Sequence, residues 1–172
     1  VSYHASMKVH PNLMAVADLI GTWEGEGTGS YPTIDDFAYR ERVTFSSDGR
    51  PFFTYRQTTT SPDGKPMHHE TGYLRGVGDN RIEWVIVQPS GVVEIAPGEI
   101  RPNNGNELHV QSTTTMVGVA PTAKHVEAVQ RCFILSEDRN RLCYDLAMAA
   151  VGETMTHHLS ASLDRVDTTP LD

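Results

Sequence analysis

Cysteine is nearly missing: 172 residues hold two, Cys132 and Cys143. Two thiols make no disulfide framework, and their spacing fits no metal knuckle. Both read as reduced thiols that behave as small hydrophobes in apolar-rich segments. No apolar run approaches the ~18 residues that a membrane span needs. The chain does not open on a basic stretch, an apolar core and a small-residue cleavage site, so no signal peptide is expected and a cytoplasmic location is. Positive charge is short, with 14 Lys+Arg against 22 Asp+Glu and a net charge of −8. Such a chain repels phosphate backbones, which excludes nucleic acid as a general partner. There is no glycine loop ending in Lys-Ser/Thr, no GxSxG elbow, no HExxH and no CxxC. Phosphate-loop, serine-hydrolase and zinc readings therefore find no motif to stand on.

What is present is one domain's worth of chain. Residues 1–10 read as a lead-in, and residues 11–168 as a single barrel domain. In "PNLMAVADLI" (11–20), Leu13, Val16, Ala17 and Ile20 recur at helical spacing behind Pro11, so one short amphipathic helix is expected. After Gly21 the character changes. "SSDGRP" (46–51), "SPDGKP" (61–66), "GVGDN" (76–80), "PSG" (89–91) and "PNNGN" (102–106) are turns, because Gly and Asn tolerate positive φ and Pro presets it. Between them lie strand-like runs near 21–28, 37–46, 51–60, 67–76, 81–88, 92–100, 106–116, 125–135, 140–150 and 154–166. Ile82, Trp84 and Ile86 share one face of their run, and Leu142, Tyr144, Leu146 and Met148 one face of theirs. The fold class is all-β: a ten-stranded antiparallel up-and-down barrel, closed because closure removes exposed edges, and wide enough for a ligand at its mouth.

Two features carry candidate chemistry. In "GTWEGEGTGSYPTI" (21–34), alternating glycines strip one face of a strand around Trp23. Such a face admits another backbone, a bend or a flat ligand; alternatively it is a barrel corner with Trp23 plugging one end. The other feature is histidine, eight in all, with doublets at 68–69 and 157–158. Neighbours on a strand face opposite ways, so each doublet offers at most one inward imidazole. One imidazole is too few for zinc but enough as the axial ligand of a haem, and an inward His is equally at home as a satisfied core residue. The acid pairs Asp35–Asp36 and Glu137–Asp138 read as solvated surface.

"GTWEGEG" followed by "YPTI" resembles the GxWxGxG signature of the nitrobindin family. "GKPMHHETGYLR" (64–75), "PSGVVEI" (90–95), "APTAKHVEAVQR" (120–131) and "HLSASLDR" (158–165) resemble further family segments, in order, so the resemblance spans roughly residues 11–166. It implies a barrel shaped like lipocalins and fatty-acid-binding proteins. It also implies a ferric haem b at the mouth held by one axial His, binding of nitric oxide, and isomerisation of peroxynitrite to nitrate. By position, the signature residues are Gly21, Trp23, Gly25 and Gly27. Thr33 and Lys124 fall at haem-contact positions, His158 at the axial ligand, and His68 on the distal side in some relatives. Simple alternation disagrees at one point: it puts His157, not His158, with Met155, Leu159, Ala161 and Leu163, unless a bulge or a rim site intervenes. A second reading is a carrier of an apolar small ligand, with no chemistry. The oligomeric state is open, a homodimer among the alternatives.

Overall fold

Short β-branched and aromatic runs between Gly, Asn and Pro turns do pair each with the next. The computed structural model describes residues 8–102 and 106–167. Most of the lead-in and most of the 102–106 turn lie outside the described residues. A 3-10 helix, η1 (Pro11–Leu19), precedes β1 (Gly21–Tyr31), β2 (Ile34–Ser46), β3 (Phe52–Thr60), β4 (Pro66–Gly78), β5 (Arg81–Gln88) and β6 (Val92–Pro102). Then come β7 (Leu108–Thr113), β8 (Met116–Val119), β9 (Val126–Leu135), β10 (Arg141–Ala150) and β11 (Glu153–Asp167). Every pairing is antiparallel, β5 meets β6, and β11 returns to β1.

The wall has the expected ten positions. β7 and β8 share one of them: Gly98–Pro102 of β6 pairs with β7, and Val92–Ile95 of the same strand with β8. Thr114 and Thr115 interrupt this position, their N–H groups donating to Val129 O and Ile95 O. The first hairpin runs longer than the sequence runs suggest, to Tyr31 and back from Ile34, because the tight turn at 32–33 uses Pro32.

The helix forms where expected, but as a 3-10 helix. Its buried residues are Leu13, Val16 and Leu19, three apart, and a helix of three residues per turn stacks those on one face. Pro11 opens it, and the His10 ring accepts from Asn12 N–H at 3.2 Å. That face closes one end of the barrel. Trp23 is fully buried beneath it and donates Nε1–H to Leu19 O at 2.9 Å. The Arg165 guanidinium lies 4.1 Å over the indole and donates to Ile20 O at 2.8 Å. Deeper in, Phe45, Tyr55, Trp84, Phe133 and Tyr144 stack with centroids 4.8–6.4 Å apart. Such aromatic pairs add to the stabilisation that their buried area supplies. Trp23→Ala is expected to cost about 3–5 kcal/mol, whereas Met14→Ala, on the exposed side of η1, stays within about 0.5 kcal/mol. Urea midpoints of the two variants check both.

Candidate functional site

The end opposite η1 is open. The turns at 32–33, 89–91 and 151–152 and the loop at 120–125 ring it, tied by Val151 N–H to His125 O at 2.9 Å and Ala120 N–H to Gly91 O at 2.8 Å. Inside lies a cavity of ≈ 240 Å³. Phe37, Val92, Val126, Met148 and Leu159 give it apolar walls, and His68 and His158 both face it, from β4 and β11.

The doublet in β11 is resolved by a bulge. Leu159 pairs with Leu146 and His157 with Ala147, so His158 is a surplus residue with no partner of its own on β10. Before the bulge Leu159, Ala161 and Leu163 face inward; beyond it the parity flips and His158 turns into the cavity. His157 is sent outside, its side chain 56% exposed and 2.9 Å from Ser160 Oγ. Strict alternation, which favoured His157, fails here for that reason.

The ring of His158 is held on three sides. Nδ1 lies 3.0 Å from Ser30 O, which only accepts, so Nδ1 carries the proton and the Nε2 lone pair is left free. Tyr31 meets the ring edge-on at 5.3 Å, and Phe37 does so at 6.1 Å. Tyr31 is itself fixed, its hydroxyl lying 3.1 Å from Met148 O and accepting from Ala150 N–H at 3.1 Å. Burial pushes the His158 pKa below the usual histidine value. The Ser30 carbonyl opposes this, and the charges of His157 and His68 add to it. The imidazole is therefore neutral and ready to donate its lone pair.

The signature glycines serve this packing. A Cβ on Gly27 would strike the Tyr39 ring, one on Gly29 the Phe37 ring, and one on Gly25 the Ser162 carbonyl of β11. The bare face of β1 thus lets two rings of β2 lie across it, and Trp23 plugs the far end. Both readings find a place in the motif: Gly25 admits the backbone of β11, and Trp23 plugs one end. Gly21 has φ 128° and turns the chain from η1 into β1. Thr33, in the β1–β2 turn, and Lys124, in the 120–125 loop, are exposed on the rim and do not line the cavity. His68 shares the inward parity of Glu70 and Leu74 on β4.

A charged group beneath the mouth escaped sequence reasoning. Arg131 (β9), 3% exposed, donates from Nη2 to Glu70 Oε2 at 3.1 Å and to Glu94 Oε1 at 3.1 Å, and from Nη1 to Glu94 Oε2. Gln88 donates to Glu94 Oε1 at 2.7 Å, and Tyr55 O–H to Glu70 Oε1 at 2.7 Å. Burial alone would raise the Glu70 carboxyl; Arg131, then His68 and Tyr55, instead hold it well below the usual range. Glu41, buried next to Gln57 and donated to by its amide, is the exception. Burial pushes it up to about 7, with the Gln57 hydrogen bond opposing and the charge of Glu70 adding. The readable signal was a charge on the apolar parity of a strand, as in Val92-Glu94-Ala96 and Val129-Arg131-Phe133.

These residues fit a metal that brings its own donors. Among the described residues no group of three or more His, Cys, Asp and Glu converges to hold a bare ion. A macrocyclic iron needs one imidazole and apolar walls, which His158 and its neighbours supply. A barrel capped at one end, with imidazoles facing a cavity in the open end, defines a class of small-ligand and cofactor binders. The chain belongs to the THAP4-like, heme-binding beta-barrel domain family, whose pattern matches residues 12–165. It is thus a haem-binding β-barrel, as the nitrobindin resemblance implies.

Relatives agree over nearly full length. The chain is 46% identical over 161 residues to "Peroxynitrite isomerase" of Nocardia farcinica, covering 93% of this chain and 94% of that one. It is 46% identical over 158 residues to "Peroxynitrite isomerase 2" of Mycobacterium avium, covering 91% and 96%. The crystal structure of Rv2717c from M. tuberculosis superposes with a TM-score of 0.87 at 41% identity, covering 92% of this chain and 99% of that one.

Glu41 makes stability depend on pH. Its folded value near 7 exceeds the ordinary 4.5, so the folded state binds the extra proton between those limits. Stability therefore falls as pH rises through that window. Glu41→Gln removes this dependence. It is expected to match the parent near pH 4.5 and to exceed it at pH 8 by about 3 kcal/mol, as read by denaturant titration at each pH.

Proposed function

We propose that this chain is a cytoplasmic peroxynitrite isomerase that also binds nitric oxide. Its barrel domain, residues 11–168, holds ferric haem b through His158. The observation that carries this reading is the free Nε2 of His158, aimed into the cavity while Nδ1 is held by Ser30 O. The names of relatives at 46% identity support it.

The bound haem would supply a Lewis-acid iron and the redox chemistry that weakens an O–O bond. The chain supplies ligation, orientation and confinement. Ser30 O fixes the tautomer of His158 and raises the basicity of Nε2. Tyr31 and Phe37 keep the ring from turning. Val126, Met148 and Leu159 line the mouth with carbon and keep water back, so that a small nitrogen oxide stays where it reacts. Lys124 and Thr33, exposed on the rim, would take the propionate edge with an ammonium and a hydroxyl.

The carrier reading finds less support. A carrier of an apolar ligand would have no use for an imidazole held with its Nε2 free in the cavity.

Hemin titration of two variants tests the site. His158→Ala is expected to lose the Soret band of the loaded protein and to weaken hemin binding ~100-fold, about 2.7 kcal/mol. His157→Ala should bind hemin as the parent does and convert peroxynitrite to nitrate with parental yield. Loss of the band in His157→Ala alone, or in neither variant, sinks the assignment.

A further inference from the structure

We propose that Tyr31 is a positioning residue whose hydroxyl selects the register of the β10–β11 hairpin, and thereby which imidazole, His158 or His157, enters the cavity. This rests on the haem reading for the use made of that imidazole, but its geometry does not.

The hairpin does not fix the choice by itself. Its turn is strained: Val151 sits at φ 50°, a left-handed value that β-branched residues avoid, beside Gly152 at φ 89°. Beyond the turn, β11 carries two surplus residues against β10. His158 is one. The other lies between Glu153 and Thr156, three steps of β11 set against the two from Ala150 to Met148. Moving the surplus from His158 into that neighbouring irregularity re-pairs only Thr156, His157 and His158. The turn, the Ala150–Glu153 pair and the ladder from Leu159 onward are untouched. The re-paired strand has His157 inside and His158 outside, because a one-residue slip exchanges the faces. The contacts that His157 makes outside, to Ser160 and Asp145, oppose this only weakly, since its side chain is 56% exposed to water.

Tyr31 grips the backbone where the surplus would have to go. Its side chain leaves the end of β1, passes β11 and sets the hydroxyl against β10, the second strand along. There the oxygen accepts from Ala150 N–H at 3.1 Å and donates to Met148 O at 3.1 Å, with Ala150 O 3.3 Å away. Met148 and Ala150 bracket the second irregularity. One hydroxyl ties them together and keeps that stretch from opening to oppose a further surplus residue. Tyr31 is 6% exposed, so water does not replace these bonds when they are lost. The same ring meets His158 edge-on at 5.3 Å, so one side chain acts on both the register and the imidazole it turns inward.

Tyr31→Phe keeps the ring and removes the hydroxyl, and the haem-free protein reads the register directly. In the parent, Ala147 should show a cross-strand nuclear Overhauser contact with His157, and His158 Nδ1–H a proton resonance protected by Ser30 O. In Tyr31→Phe the contact is expected to pass to His158 and the protected resonance to disappear. If both signals persist, the proposal fails. If both vanish and no contact forms between Ala147 and His158, the hydroxyl serves stability alone and the proposal fails as well. Should Tyr31→Phe not fold, it is read in a Val151→Asn background, because Asn accepts the left-handed turn and keeps the N–H that donates to His125 O.

Hemin titration supplies a second arm. In His158→Ala, β11 presents no inward imidazole. Tyr31→Phe combined with His158→Ala is expected to recover the Soret band through His157 and to bind hemin about tenfold more tightly than His158→Ala. Adding His157→Ala should abolish that gain. A parent that takes hemin, with no recovery in the double variant, overturns the proposal. If the parent does not take hemin while the Ala147 contact moves as expected, the haem reading fails and the register proposal stands.

Discussion

Strand β11 carries one residue more than β10 allows between Leu159 and His157, and that surplus decides which imidazole meets the cavity. A regular pleat would send His158 to solvent and bring His157 inside. The bulge reverses the parity without breaking the barrel, because the ladder resumes at once with Ala147 and Met148. It also brings His158 within reach of Ser30 O on β1, the strand on the other side of β11. Ring orientation, tautomer and the free Nε2 all follow from this local irregularity in an otherwise regular meander.

The two ends of the barrel divide the work. At the closed end, η1, Trp23 and the stacked aromatic cluster supply buried apolar area and tight packing, the main source of stability. At the open end the wall is interrupted at Thr114–Thr115, and several cavity-wall residues are only half-buried. Alternating glycines join the two regimes along β1. Toward the closed end they let β11 approach, and toward the mouth they let Tyr39 and Phe37 lie flat against the strand beneath His158. A larger residue at Gly27 or Gly29 would push those rings toward the cavity and disturb the seat of the imidazole.

Much of this was legible from local order. Alternation in Ile82-Trp84-Ile86 and Leu142-Tyr144-Leu146 placed inward faces correctly, and Gly, Asn and Pro marked the hairpins. What alternation cannot see is a change in its own phase, which is why His157 and His158 stayed open until the register was known. The helix was legible in place, but its type was not. Spacings of three and four both occur among Leu13, Val16, Leu19 and Ile20, and the exposed length of the segment is too short to tell a period of 3.0 from one of 3.6. The Arg131 cluster was hidden because its partners lie 61 and 37 residues away in sequence. Only the register of a closed sheet brings them face to face.

That cluster also constrains what the cavity can hold. A buried Arg131 with two carboxylates gives the floor a negative excess, and Glu41 avoids adding to it by keeping its proton up to about pH 7. A free anion is therefore unwelcome deep in the barrel, where low polarity strengthens the repulsion. At the mouth, where the His68 side chain is 39% exposed, water screens that repulsion. The apolar rings between floor and mouth, Phe37 and Tyr39 on one side and Val129 and Leu146 on the other, keep the two levels apart. The polar floor thus acts less as a binding site for anions than as a barrier to them, below the level of the two inward-facing histidines.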